Sequence, residues 1–291
     1  MFATLLGGVP RPPLGEAATS AELVAAAIAA QSEAGLEPLV DGGLWGNEEP
    51  GTVVERWRAT ADLTDRAVKA VVTGPVSSGS AVGSLNAVLH ELSAAGCPLV
   101  EVHEPAAVTL GDDALARERF VAMQRQLLDG IEPTGLHVSL AITGGNADGA
   151  GIETLLAAPY ASLALDLVRG PDNWRLAAAA PRATGIVCGG MTADETGDES
   201  VEILIYALNY AASTGGRGGA RVGIATAGSL AGVPWEVAER RMRRLGEAVR
   251  LAEASPDERA AGLDPRAISI RGAALGRSGV RRAGRRPKRT S

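Results

Sequence analysis

An apolar run that ends in ionisable side chains and a proline is where this sequence first looks chemical. In residues 96–106, GCPLVEVHEPA, apolar and β-branched positions alternate with Glu101, and His103, Glu104 and Pro105 then set an imidazole, a carboxyl group and a rigid φ angle side by side. That is the pattern of a strand whose carboxyl end borders an active site; the plainer reading is a polar strand end closed by a solvated turn. Further along, His137 and Ser139 stand two apart in HVS, Asp166 closes ASLALD, and Cys188 is followed by two glycines that can expose a thiol to backbone amides. If the strands bearing them are neighbours, His103, His137 and Asp166 supply two imidazoles and one carboxylate. Such a trio can hold a divalent metal with an open position, or relay protons without one.

Eight β-type runs are available to position these groups, at residues 3–6, 38–40, 70–73, 99–103, 136–140, 162–165, 184–188 and 222–225. Helical patterns with one apolar face lie between them, over 21–34, 85–95, 113–128, 201–211 and 235–254. Alternation of this kind, with eight units in about 250 residues, predicts a TIM (β/α)8 barrel. A doubly wound open sheet competes less well, because no GxGxxG follows the first run and opens a helix. In a barrel the carboxyl ends of the strands form the active face. That face collects Gly7 and Gly8 after the first strand, Asp41 and Trp45 after the second, Thr73 after the third, His103 and Glu104, His137 and Ser139, Asp166, and Cys188. Trp45 in its loop can stack on a planar ligand, whereas His90 falls within a helix and reads as a solvated residue.

Composition sets the frame. A chain of 291 residues that is 46% hydrophobic can bury one large core. Two cysteines far apart in sequence and no basic-then-apolar leader predict a reduced, cytoplasmic protein, and no apolar run nears the roughly 20 residues of a membrane span. The charge is uneven: from Asp264 onward nine Lys or Arg face one acid, a tail of +8 that, against a total of -6, leaves -14 for the body. The expected organisation is a barrel over 1–255 and an Arg-rich, disordered tail over 256–291. An acidic body disfavours nucleic acid, so the tail is the one candidate contact for it, and a tail without stacking aromatics in a chain that prefers Arg to Lys throughout argues against even that. A small-molecule substrate is the expected partner.

Several segments in order carry a resemblance: ATLLGGVPRP at the start, AAQSEAGLEPLVDGG around the second strand, VTGPVS after the third, AAGCPLVEVHEPA around the fourth, and ASLALDL at the sixth. Together they resemble the catalytic, carboxyl-terminal barrel of the cobalamin-independent methionine synthase family, in its short single-barrel form, over residues 3 to about 254. The resemblance implies methyl transfer from a folate to a thiol held as thiolate on zinc. In that family zinc is bound by a His-x-Cys on strand five, a glutamate ending strand six and a cysteine after strand eight.

Carried over residue by residue, this site departs from the family. His137-Val138-Ser139 matches His-x-Cys with serine for cysteine, Asp166 takes the glutamate position, and Ala227 takes the last cysteine position. A register two residues later would put Ser139 at the histidine and Ala141 at the cysteine. The family's amino-acid contacts, a serine, an acidic residue and an aspartate, correspond here to Gly8, Gly43 and His103, so a substrate ammonium group loses its carboxylate partners. The resemblance therefore implies a diverged methyl- or alkyl-transfer enzyme lacking the zinc thiolates, with His137 and Asp166 as the remaining metal candidates and either no cofactor or a divalent metal. Two other readings stay open: a non-catalytic binding member, and an intact 5-methyltetrahydrofolate–homocysteine methyltransferase with unusual ligands.

Overall fold

The computed structural model describes residues 1–46, 52–197 and 199–263. Seven strands, β1 (Phe2–Ala3), β2 (Lys69–Thr73), β3 (Leu99–His103), β4 (His137–Ile142), β5 (Ser162–Asp166), β6 (Gly185–Met191) and β7 (Val222–Thr226), form one parallel sheet in the order β1-β7-β6-β5-β4-β3-β2. The helices are α1 (Ser20–Glu33), α2 (Val53–Ala61), α3 (Pro75–Ser78), α4 (Val82–Ala94), α5 (Ala114–Leu127), α6 (Ile152–Leu156), α7 (Trp174–Ala179), α8 (Val201–Ser213), α9 (Trp235–Glu253) and α10 (Pro256–Gly262). At least one helix lies between each pair of successive strands, as parallel pairing demands.

The expected second strand, at 38–40, is not one. Its single bridge joins Leu39 to Val68. The amide of Glu37 donates to Ala3 O at 2.8 Å, that of Leu39 to Ala67 O at 2.8 Å, and Thr4 Oγ1 donates to Pro38 O at 2.7 Å. Pro38 has no N–H to offer a ladder, and the Gln31 side chain takes both polar groups of Val40, accepting from its amide at 3.1 Å and donating to its carbonyl at 2.8 Å. The segment thus runs between the two edges of a curled sheet, tied to each by isolated bonds, and the described sheet has seven strands rather than the eight expected. At the other end of the chain, residues expected to begin the tail form α10, capped by Ser255 and Glu258 and pinned to α9 through Arg259. Residues 264–291 lie outside the described residues.

Strand alternation divides the core in two. Outward positions such as Val100, Val102, Leu140, Ile142, Leu163, Leu165 and Ile224 pack under the helices with Leu89, Phe120, Leu208 and Leu245. Inward positions are small: Ala141, Ala164, Val187 and Ala225 with Leu6 make a separate apolar plug, against which Phe2 packs. A β-carbon on Gly223 would collide with the Phe2 ring, so glycine there admits the aromatic to the interior. Barrel interiors are usually filled by large branched residues; here alanines and glycines leave room at both ends of the plug.

Two helical glycines separate propensity from packing. A β-carbon at Gly83 in α4 meets open space, whereas one at Gly246 in α9 would overlap Ala34 O at the end of α1. Gly83→Ala, in the first turn of α4, should stabilise the fold by a few tenths of a kcal/mol, about half the effect in a helix interior, and Gly246→Ala should destabilise it by about 1–3 kcal/mol; denaturant midpoints at unchanged slope will read both.

Candidate functional site

Parallel register fixes which predicted residues can meet. Thr73, His103 and Asp166 close their strands at the carboxyl edge, and Glu104 follows directly. His137 does not belong there. It opens β4, level with Leu99, and Ser139 is level with Ser162, so His137 lies six residues short of the level of Asp166. At 3.3 Å per residue that is roughly 20 Å. The expected His103–His137–Asp166 trio is therefore not assembled: His137 belongs to the opposite face, its Nε2 2.8 Å from Ser162 Oγ. Cys188 alternates outward into the helix layer, is fully buried, and burial pushes its thiol up to about 12, so it presents no thiolate to the mouth.

The interior holds a charged string instead. Lys69 Nζ lies 2.6 Å from Glu101 Oε2 and donates to Leu5 O at 2.6 Å; Glu101 Oε1 lies 2.6 Å from His103 Nε2. Lys69 and Glu101 are each 2% exposed, while the His103 ring at the carboxyl end of β3 is partly exposed. Burial raises the Glu101 carboxyl, but the Lys69 ammonium and then the His103 bond outweigh it and hold the group below its ordinary value. An anionic carboxylate at Nε2 makes that nitrogen the N–H donor, which leaves Nδ1 of a neutral ring as the proton acceptor. The sequence reading passed over Lys69, although it carried a signal: in a chain with 26 arginines it is one of two lysines and the only one before residue 288. Lysine is the compact, three-donor cation that such an interior position can hold.

Other residues expected at the mouth are spent on structure. Glu104 is fully buried, and both its oxygens are taken: Oε1 by Val76 N at 3.0 Å and Gln124 Nε2 at 2.7 Å, Oε2 by Ser77 N at 2.9 Å and Ser77 Oγ at 2.6 Å. Gly74 is glycine because any β-carbon there would overlap this carboxylate. Asp166 accepts from the amides of Gly144, Val168 and Arg169 at 2.9 to 3.0 Å, tying together the loops after β4 and β5. Trp45 is 5% exposed with Nε1 donating to Thr60 Oγ1 at 2.9 Å, so it packs on α2 and offers no free face to a ligand. Gly7 and Gly8 lie against the loop after β7, where Gly8 N donates to Ser229 Oγ at 3.1 Å.

Two cavities flank that contact. One, of about 210 Å³, is lined by Gly7, Gly8, Asp41, Arg56 and Lys69; the other, of about 220 Å³, by Thr143, Arg169, Thr192 and Ser229. Burial raises the Asp41 carboxyl, against the Gly43 amide and Arg56, so the first cavity sets an acid whose charge burial disfavours beside Arg56 and Lys69. A thiolate-type zinc centre does not fit these residues. Asp166 already has three backbone donors, Ala227 offers no ligand atom, His137 is at the far end, and no group of three or more His, Cys, Asp or Glu among the described residues is placed to hold a metal.

No protein-family model and no curated protein sequence matches this chain. Solved structures do. A B12-independent methionine synthase from Shewanella sp., solved with selenomethionine, superposes with a TM-score of 0.71 at 14% identity over 85% of this chain and 97% of that one. A putative vitamin-B12 independent methionine synthase from Listeria monocytogenes gives 0.68 at 14% identity over 87% and 96%. An L-ribulose 3-epimerase gives 0.52 at 14% identity over 95% and 99%. At such identity the likeness is one of fold: this chain shares the α/β architecture of TIM-barrel enzymes and has distant structural neighbours among methionine synthases. No described helix is long and apolar enough to cross a membrane.

Removing one partner of a buried ion pair strands the other. Lys69→Met should cost about 3–5 kcal/mol, and Lys69→Met with Glu101→Leu much less than that single change; equilibrium unfolding of the single and double variants measures the difference. His137 gives a pH signature. Burial lowers its imidazole below 6.5, so the unfolded chain takes the proton first. Its contribution to stability is complete above 6.5 and declines as pH falls through that value toward the folded one; in His137→Gln the stability curve should be flatter over the same interval.

Proposed function

We propose that this chain is a methionine-synthase-like barrel enzyme that transfers a methyl or alkyl group to a small-molecule acceptor, with His103 in place of a thiolate-bound zinc as the activating group. The observation that carries this reading is the Lys69–Glu101–His103 string, a partly exposed imidazole oriented by a buried, charge-neutralised carboxylate. In this reading residues 37–40 occupy the place of an eighth strand, and the mouth beside Asp41 and Arg56 receives the substrate.

Nδ1 of His103 takes the acceptor's proton as the acceptor's lone pair forms the bond to the methyl carbon. The bond from that carbon to the donor heteroatom breaks, and the heteroatom leaves with the electron pair and takes a proton. A folate-type carrier is the donor class this reading implies, and a reducing cytoplasm suits a protein whose two cysteines are both buried and unbridged.

A second reading, a binding protein without catalysis, is favoured by the number of mouth groups already consumed, Glu104, Asp166 and Trp45 among them. The test is transfer of a 13C-methyl group from 5-methyltetrahydrofolate to a panel of thiol, amine and hydroxyl acceptors, followed by NMR. The expected result is turnover that falls about 100- to 10,000-fold in His103→Gln at unchanged melting temperature. Equal rates in wild type and His103→Gln would overturn the assignment of His103, and ligand-induced stabilisation with no turnover would favour the binding reading.

A further inference from the structure

A cavity of about 450 Å³, roughly twice the volume of either cavity at the mouth, lies at the amino-terminal ends of the strands, at the end opposite His103. Its polar lining is Lys69, Glu101, His137, Ser139, Ser162 and Arg221, and Phe2, Leu99, Ile186 and Val187 supply apolar wall. Ligand pockets span about 300 to 1,000 Å³, so its size suits a small metabolite.

Two observations make this more than a gap in packing. Ser139 is 2% exposed, and its Oγ has no hydrogen-bond partner among the described residues. Leaving a buried hydroxyl unpaired costs about 1–3 kcal/mol, a cost an apolar residue at this inward position would avoid. The second is charge. Lys69 and Glu101 neutralise one another, which leaves Arg221, exposed at the rim, as the uncompensated charge of the lining.

We infer that this amino-terminal cavity is a binding site for a small organic acid that carries a hydroxyl or keto oxygen on a short apolar body. The carboxylate meets Arg221 at the rim beside His137, the body lies against Leu99 and Ile186, and the second oxygen reaches Ser139. Lys69 and Glu101 line this cavity as well as orienting His103, but the contacts inferred here are with Arg221, Ser139 and His137, none of which acts in the transfer step, so the test below does not depend on that reading.

The chain has three histidines, so imidazole NMR resolves the question on the intact protein. His137 lines the cavity, whereas His90 sits outside on α4 with its Nε2 3.3 Å from Asp129 O. The probes are 2-hydroxyisovalerate, isovalerate, which lacks only the hydroxyl, and inorganic phosphate. We expect 2-hydroxyisovalerate to shift His137 saturably and leave His90 in place, with affinity about tenfold weaker (1.4 kcal/mol) in Arg221→Gln and in Ser139→Ala. Melting curves of both variants will confirm that they fold. Isovalerate binding as tightly as the hydroxy acid, phosphate alone binding, affinity unchanged in the variants, or no saturable shift, as for a cavity holding only water, would each overturn the inference.

Discussion

A lysine and a glutamate buried against one another inside a parallel sheet constrain the rest of this molecule. Neither charge is tolerable alone at 2% exposure, and together they need further polar partners, which Leu5 O and the His103 ring provide. Lys69 starts β2 and Glu101 sits at the middle of β3, so the pair is also a clamp on the register of those two strands. A slip of one residue in either strand would turn that strand's charge into the apolar helix layer, away from its partner. The imidazole at the mouth inherits its orientation from this arrangement.

Around the pair, the two faces of the sheet follow different rules. The helix side is packed with Leu, Val, Ile and Phe in the ordinary way, and the stability of the fold resides there. The inner side is built from alanine, glycine, serine and a few charges, and its apolar plug is small. An interior of that kind gives up packing energy and leaves cavities at both ends. At the carboxyl edge the loops are held rigidly, by Glu104 on the α3 turn, Asp166 on two loops, and Asn173, which accepts from Ala147 N and donates to Gly145 O and Asp166 O. Groups that look catalytic in type thus act as braces, and they keep His103 in a fixed frame.

The likeness to methionine synthases is a likeness of backbone. The strands and helices superpose over most of both chains at 14% identity, while the donor set that a thiolate-bound zinc requires has no counterpart among the described residues. A shared backbone without a shared donor set is physically reasonable. Outward strand positions and helix faces maintain an architecture through apolar pattern alone, whereas a metal centre depends on a few ligand atoms within tenths of an ångström.

Much of the architecture was legible in the residues. Strand 99–103 was read to its true ends, the others to within a few residues, and the long amphipathic helix near 235–254 almost to its bounds, since alternation and helical spacing are local. The run at 38–40 misled because Pro38 and the Gln31 side chain remove ladder bonds, one locally and one from nine residues away. Of the site, the sequence alone determined that His103 ends a strand at the mouth, with a carboxylate two residues before it on the same side. Only the tertiary structure decided that Lys69 is that carboxylate's partner and that Glu104 and Asp166 are already spent on backbone and side-chain donors; that His137 lies at the amino-terminal end was implicit in its place at the start of the run 136–140. Strand periodicity and chain direction tell which side a residue faces and which end it reaches, but not what stands across from it. That follows from register between strands thirty or more residues apart, which no local pattern encodes.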